Sequence, residues 1–181
     1  MSDNSNTSIL ENEGHMKIFN DKNFPNISLP NQDGNLLNLH RIDTFRMVLY
    51  FYPMTGRPDR PLPDNWNNIP GAKGCTIQAC SFRDNYDEII SLNAVPIGIS
   101  SQSVDDNKEM TSRLKVPYDV LSDEKLELSK ELNIPTFSVS SKIFLKRITL
   151  VVEKKIIKKV FYPINDINKH IIEVLKWLKA N

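Results

Sequence analysis

The hydrophobic pattern divides the chain into short elements whose period changes several times. Residues 24–39 carry apolar positions on both sides of Gln32-Asp33-Gly34-Asn35. Asp-Gly between apolar runs is a strong turn signal, so an N-terminal β-hairpin is expected there. Met47-Val48-Leu49-Tyr50-Phe51-Tyr52 is an unbroken β-prone run closed by Pro53, the pattern of a central strand covered on both faces. Residues 54–74 are dense in Pro, Gly, Asp and Asn and cannot form a regular element; a loop of this length in a compact domain usually carries function. Over residues 75–92 the spacing of Ile77, Cys80, Phe82, Tyr86, Ile89 and Ile90 turns helical. Residues 95–100 form a second buried-strand pattern. Ser103 with Asp106, and Ser122 with Asp123 and Glu124, each pair a capping hydroxyl with first-turn acids, so a helix is predicted to start at both. Two β-rich runs, residues 143–152 and 155–162, meet at Glu153-Lys154 and predict a hairpin. A closing helix after Asn165 is expected to bury Ile167, Ile171, Val174, Leu175 and Leu178. This is an α/β order, with a mixed central sheet between helices and no internal repeat.

Composition narrows the class. At 181 residues and 20.8 kDa the chain suits one domain, expected over residues 17–181 behind a flexible polar lead of residues 1–16. That lead has neither the basic nor the apolar segment of a signal peptide, and no apolar run approaches the roughly 20 residues of a membrane span. A cytoplasmic location, where thiols stay reduced, is therefore expected. The net charge of +1 gives no electrostatic reason to expect nucleic acid or an anionic membrane as partner. Residues 141–181 hold ten basic residues against three acids, but without a recognition motif they read as a solvated face. Trp66 and Trp177 read as packing residues, and Arg83 as a surface partner of Asp84 or Asp87 or else as a cation supporting a thiolate.

Only two cysteines are present, Cys75 and Cys80, too few for a disulfide framework or an all-cysteine zinc site. His15, His40 and His170 are scattered without ligand-like spacing, so no metal is expected. Cys75 stands where the loop becomes a helix, where unpaired N–H groups and the positive end of the helix dipole favour a thiolate, the reactive form. Cys80 follows five positions later, about 7.5 Å along an ideal helix and roughly 140° around it. The pair can join only if the helix start unwinds, which suits a transient disulfide better than a structural one. On spacing alone, a small buried hydrophobe is the commoner role for such a cysteine, and Cys80, on the apolar side, suits it.

The segment Val48-Leu49-Tyr50-Phe51-Tyr52-Pro53, followed by Gly74-Cys75-Thr76 and Ala79-Cys80-Ser81-Phe82-Arg83-Asp84, resembles the peroxiredoxins of the bacterioferritin-comigratory-protein, or PrxQ, subfamily. The likeness extends over about residues 24–178. It implies a thioredoxin-like fold and a monomeric antioxidant peroxidase in which Cys75 attacks a hydroperoxide and Cys80 resolves the product. Arg147, in Arg147-Ile148-Thr149-Leu150-Val151, matches the family's later-strand arginine. Thioredoxin or a similar dithiol protein is the implied reductant, and no metal, haem or flavin is required. Pro53, Thr55 and Gly74 are the expected pocket residues. One departure stands out. The family pattern Pro-x-x-x-Thr/Ser-x-x-Cys is stretched here, with Pro53 and Cys75 standing 22 positions apart and Ala72 where the hydroxyl belongs. Thr55 supplies that hydroxyl if the loop folds back; otherwise the backbone N–H groups of Gly74 and Cys75 serve alone. The competing expectation is a thioredoxin-fold redox sensor or binding module without efficient turnover.

Overall fold

The computed structural model describes residues 21–181; the lead expected over residues 1–16, and His15 with it, lie outside the described residues. The expected first hairpin is present as β1 (Ser28–Pro30) and antiparallel β2 (Leu36–Asn38). Its turn is built by Asn31, whose side-chain oxygen accepts from the backbone of Asp33 and Asn35, and by Gly34 at φ +82°. β3 (Arg46–Phe51) is the central strand the unbroken apolar run predicts. It alternates strictly: Met47, Leu49 and Phe51 enter one core layer and Val48 and Tyr50 the other.

The helical stretch after the long loop is two helices, α1 (Cys75–Asp84) and α2 (Tyr86–Ser91). Asn85 separates them, its side chain and backbone N–H both bonding back to the Ser81 carbonyl. This corrects the expected stripe. The buried face of α1 is Cys75, Gln78, Ala79 and Phe82, while Ile77 is 51% exposed and Ile90 40%. Ile77 lies about 200° round the helix from Cys75, so the two cannot share a face.

β4 (Ala94–Ser100) runs parallel to β3, and α3 (Val104–Leu114) follows with Ser103 capping the Asp106 N–H as expected. The second cap is misplaced in the sequence reading. Ser122 ends a three-residue strand, β5 (Val120–Ser122), and its hydroxyl donates to the Gln102 carbonyl. The helix itself is a short one, α4 (Glu127–Glu131), whose first N–H groups are met by the buried carboxylate of Asp123. The β-rich run after Ile143 is also interrupted. β6 (Thr136–Val139) and β7 (Lys142–Leu145) form a separate hairpin, and the chain rejoins the main sheet only at β8 (Ile148–Glu153), which pairs with β9 (Ile156–Phe161) as predicted. The break falls at Lys146-Arg147. Strand order in the main sheet is β5-β4-β3-β8-β9, with β3 between parallel β4 and antiparallel β8. The last helix, α5 (Ile167–Ala180), is capped by Asp166 and buries His170, Ile171, Val174, Leu175 and Leu178; Ile167 is half-buried.

The long loop is strapped down. Arg57 bonds Asp59, Asp105 and Asp106, Arg113 reaches the Gly56 carbonyl, and Trp66 packs with Phe137 and Phe144 over Ala72. Arg83 pairs with Asp84 and with the Leu114 carbonyl. Among the described residues no helix is long and apolar enough to cross a membrane, and no cluster of three potential metal ligands occurs.

His170 carries a testable consequence of this packing. Its ring is buried between Phe82 and Phe161, with Nε2 2.9 Å from the Thr149 hydroxyl. Burial, and secondarily the charge of Arg147, hold its pKa down at about 4, against 6.5 for an ordinary histidine. The unfolded chain therefore takes up a proton below pH 6.5 that the folded chain refuses until about pH 4, so the contribution present at neutral pH is lost as pH falls through that window. A loss of about 3 kcal/mol is expected from this group between pH 7 and pH 4. Urea midpoints across that range should shift less in His170→Gln; an identical pH slope would exclude His170 as the titrating group.

Candidate active site

Gly74 sets the entry to α1. It adopts φ +92°, a conformation that strains any other residue, and a Cβ there would stand 2.2 Å from Cδ1 of Ile167 and push that side chain aside. Cys75 is consequently the first helical residue, where backbone N–H groups lack partners within the helix and the dipole favours negative charge. The side chain is 3% exposed. Two neighbours pull its Sγ in opposite directions. As a thiol it donates to the Ala72 carbonyl at 3.6 Å, a bond that needs the proton. Nη2 of Arg147 donates to the same sulfur at 3.2 Å, a contact that strengthens when the proton leaves.

Arg147 reaches the thiol because it lies in the break between β7 and β8. Its guanidinium is buried and heavily committed. Nη2 also donates to the carbonyls of Lys73, at 2.8 Å, and Gly71, at 3.2 Å, while Nη1 bonds Oε1 of Gln78. One planar group thus ties the end of the loop, the first turn of α1 and the reactive sulfur together. Among the described residues, Nε of Arg147 and Nε2 of Gln78 are buried with no acceptor, so two donors remain free for negative charge that develops nearby. A cleft of about 390 Å³, lined in part by Gly71, Lys73, Arg147, Tyr162 and Ile167, opens beside this guanidinium. A larger one, about 580 Å³, lies over Met54, Thr55 and Gln102 and includes neither Cys75 nor Arg147 among its walls.

Pro53 is buried just past the end of β3. Thr55 is buried too, but its hydroxyl and backbone N–H both donate to Oε1 of Gln102, at 3.3 and 2.8 Å, and Gln102 returns a bond to the Thr55 carbonyl. The hydroxyl expected beside the thiol is therefore engaged by Gln102, and the hydrogen-bond partners of Cys75 Sγ are Ala72 and Arg147. The folded-back loop brings Ala72 to the sulfur instead, as a backbone acceptor.

Cys80 is a half-buried free thiol on the same helix, and Cys75 is also unpaired. Arg83 feels Cys80: its guanidinium is pushed up chiefly by the bond to Asp84 and further by the neighbouring sulfur. Beneath α1, Tyr50, Tyr52 and Tyr118 have their phenols pushed well up, chiefly by burial, and stay protonated at physiological pH. Gln78, Gln102 and Tyr118 are absent from the residues singled out by sequence. Gln78 carried a usable signal, a polar residue one turn after Cys75 on the same face; Gln102 and Tyr118 are placed by tertiary contacts and carried none.

Comparison with known proteins gives the family of the chain. The Redoxin family model matches residues 19–174. Chloroplastic peroxiredoxin Q of Arabidopsis thaliana is 34% identical over 158 residues, which cover 86% of this chain and 65% of the relative. That of Sedum lineare is 31% identical over 157 residues, covering 86% and 75%. The chain spans 64% of the length of the Oryza sativa relatives, slightly under two thirds. Among solved structures, peroxidoxin BcpB of Mycobacterium tuberculosis superposes with a TM-score of 0.74 at 23% identity, over 90% of this chain and 97% of that one. A Cys-to-Ser mutant of Xylella fastidiosa PrxQ gives 0.73 at 22% identity, over 92% and 97%. The bacterioferritin comigratory protein of Xanthomonas campestris, whose alkyl peroxide reduction activity was the subject of its structure, gives 0.69 at 20%, over 85% and 90%. These likenesses place the mixed sheet and its flanking helices in the thioredoxin-like fold. Sequence and fold together make this chain a member of the Redoxin family, within its peroxiredoxin Q group.

Proposed function

We propose that this chain is a thiol peroxidase that reduces hydrogen peroxide or organic hydroperoxides through Cys75 and is recycled through Cys80. The observation that carries this reading is the Arg147 guanidinium, 3.2 Å from a cysteine sulfur at the first position of a helix. The Cys75 thiolate attacks one peroxide oxygen; the S–O bond forms, the O–O bond breaks, and the other oxygen leaves as water or an alcohol after taking a proton. Charge on the departing oxygen develops beside the unpaired donors of Arg147 and Gln78, which are buried and fixed in place. Cys75 is left as a sulfenic acid. Condensation with the Cys80 thiol forms the S–S bond and releases water, and a dithiol protein of the thioredoxin kind returns two electrons. Both thiols belong to one helix, so a monomer suffices.

Thr55's bond to Gln102 favours a second reading, a redox sensor or binding module that oxidises slowly because the Thr55 hydroxyl is committed to Gln102. Stopped-flow mixing of reduced protein with hydrogen peroxide separates the two. The peroxidase should oxidise at least about a hundredfold faster than free cysteine and turn over repeatedly with a thioredoxin system. Oxidation at the rate of an ordinary thiol, or a single turnover only, would reject it.

A further inference from the structure

Cys80 is held in α1 by a hydrogen-bonded tyrosine pair that the chemistry above leaves unused. The Tyr118 hydroxyl donates to the carbonyl of Ala79, the residue before Cys80, at 2.9 Å. Its proton is thereby committed, so the Tyr50 hydroxyl, 2.9 Å away, is the donor to Tyr118. Tyr50 is fixed in the central strand, where Gly98 leaves room for its hydroxyl: a Cβ at that position would stand 2.7 Å from the oxygen. The Tyr50 ring stacks on Phe82 of α1 at 4.4 Å between centroids, nearly parallel at 8°. Tyr118 stacks in turn on Tyr86 of α2. The first turn of α1 is tied to Arg147 through Cys75 and Gln78, and the rest of it, from Ala79 on, to the sheet through these tyrosines.

An ideal helix keeps positions 75 and 80 about 7.5 Å apart along the axis with side chains diverging by roughly 140°, outside disulfide reach. Helix α1 must therefore open between the two thiols, and at its Cys80 end a bond that resists is Tyr118 to Ala79. We propose that Tyr118 is a positioning residue that latches the Ala79–Cys80 peptide in the helix and sets how fast Cys80 condenses with the Cys75 sulfenic acid, S–S forming as S–O breaks and water leaves. The proposal rests on the reading of Cys80 as the resolving thiol. A slow latch leaves the sulfenic acid exposed longer to a second peroxide and hence to sulfinic acid.

The test is Tyr118→Phe, which keeps the ring and removes only the hydroxyl. Reduced protein is mixed with one equivalent of hydrogen peroxide, quenched with a thiol-alkylating reagent at intervals, and its sulfenic acid and disulfide forms are counted by mass. Conversion of sulfenic acid to disulfide should accelerate about fivefold, the order expected for one lost hydrogen bond, while the first oxidation stays within twofold of the parent rate. The sulfinic fraction at excess peroxide should fall in parallel. Tyr50→Phe, which loses the Tyr50–Tyr118 bond that Tyr118→Phe also loses but leaves the Tyr118–Ala79 bond in place, should condense within twofold of the parent. Hydrogen exchange of the 75–84 peptide should quicken in Tyr118→Phe only. Unchanged or slower condensation in Tyr118→Phe, with a normal disulfide in the parent protein, overturns the latch alone. Absence of a Cys75–Cys80 disulfide in the parent overturns the resolving role of Cys80 and the latch with it.

Discussion

Cys75→Ser should abolish peroxide reduction, whereas Cys80→Ser should leave the first oxidation at the parent rate and stop recycling. The asymmetry follows from position. Cys75 alone has both the helix N-terminus and the Arg147 contact, and a serine hydroxyl in the same place is not ionised near neutral pH and cannot be oxidised. Cys80 lies more than a turn away, and the two cations that feel it, Arg83 and Arg113, are already paired to Asp84 and Glu109. In Cys80→Ser the oxidised Cys75 has no thiol within the chain to condense with, so sulfenic acid should accumulate and pass to sulfinic acid as peroxide rises. Rapid-quench mass analysis distinguishes the two variants within one turnover. Equal loss of the first oxidation in both would refute the assignment of roles.

Arg147→Ala should slow the first oxidation by about 10²- to 10³-fold, the cost usual for removing a fixed donor from developing charge. Three effects combine. The sulfur loses the one cationic partner it has among the described residues, while the Ala72 carbonyl, which accepts from the protonated thiol, remains. Gln78 loses the bond that orients it, and the carbonyls of Gly71 and Lys73 lose the donor that holds the loop end beside the helix. Arg147→Lys keeps the charge but not the fork, and one ammonium cannot serve a thiolate, an amide and two carbonyls at once, so its rate should fall between the other two. An unchanged rate in Arg147→Ala, measured on protein shown to be folded, would remove Arg147 from the site.

The parts of the fold that sequence exposed are those in which one residue pattern has one solution. The apolar run at residues 47–52, the Asp33-Gly34 turn, the Ser103 cap and the stripe of α5 all fall there. The misplaced parts were decided by contacts distant in sequence. β5 is three residues long, too short to show alternation, so Ser122 reads as a cap although it spends its hydroxyl on Gln102. The 143–152 run has unbroken β character, yet Lys146 and Arg147 leave the strand so that the guanidinium can reach α1. The same reasoning applies to the site. Cys75, Cys80 and Arg147 announced themselves by residue type and by family resemblance, and the structure brings Arg147 and Cys75 into contact. The Thr55 hydroxyl and both of its backbone polar groups bond Gln102, forty-seven positions away, a pairing that no local pattern shows. Gln78 is legible only once the helix is phased on Cys75 rather than on Ile77.

One equivalent of hydrogen peroxide added to the reduced protein, followed by non-reducing mass analysis of its peptides, addresses Cys75 and Cys80 together. A loss of two mass units, mapped to the peptide holding both cysteines and reversed by a thioredoxin system, is the expected outcome. An unchanged mass, or oxidation confined to methionine, would mean that this helix does not carry the chemistry.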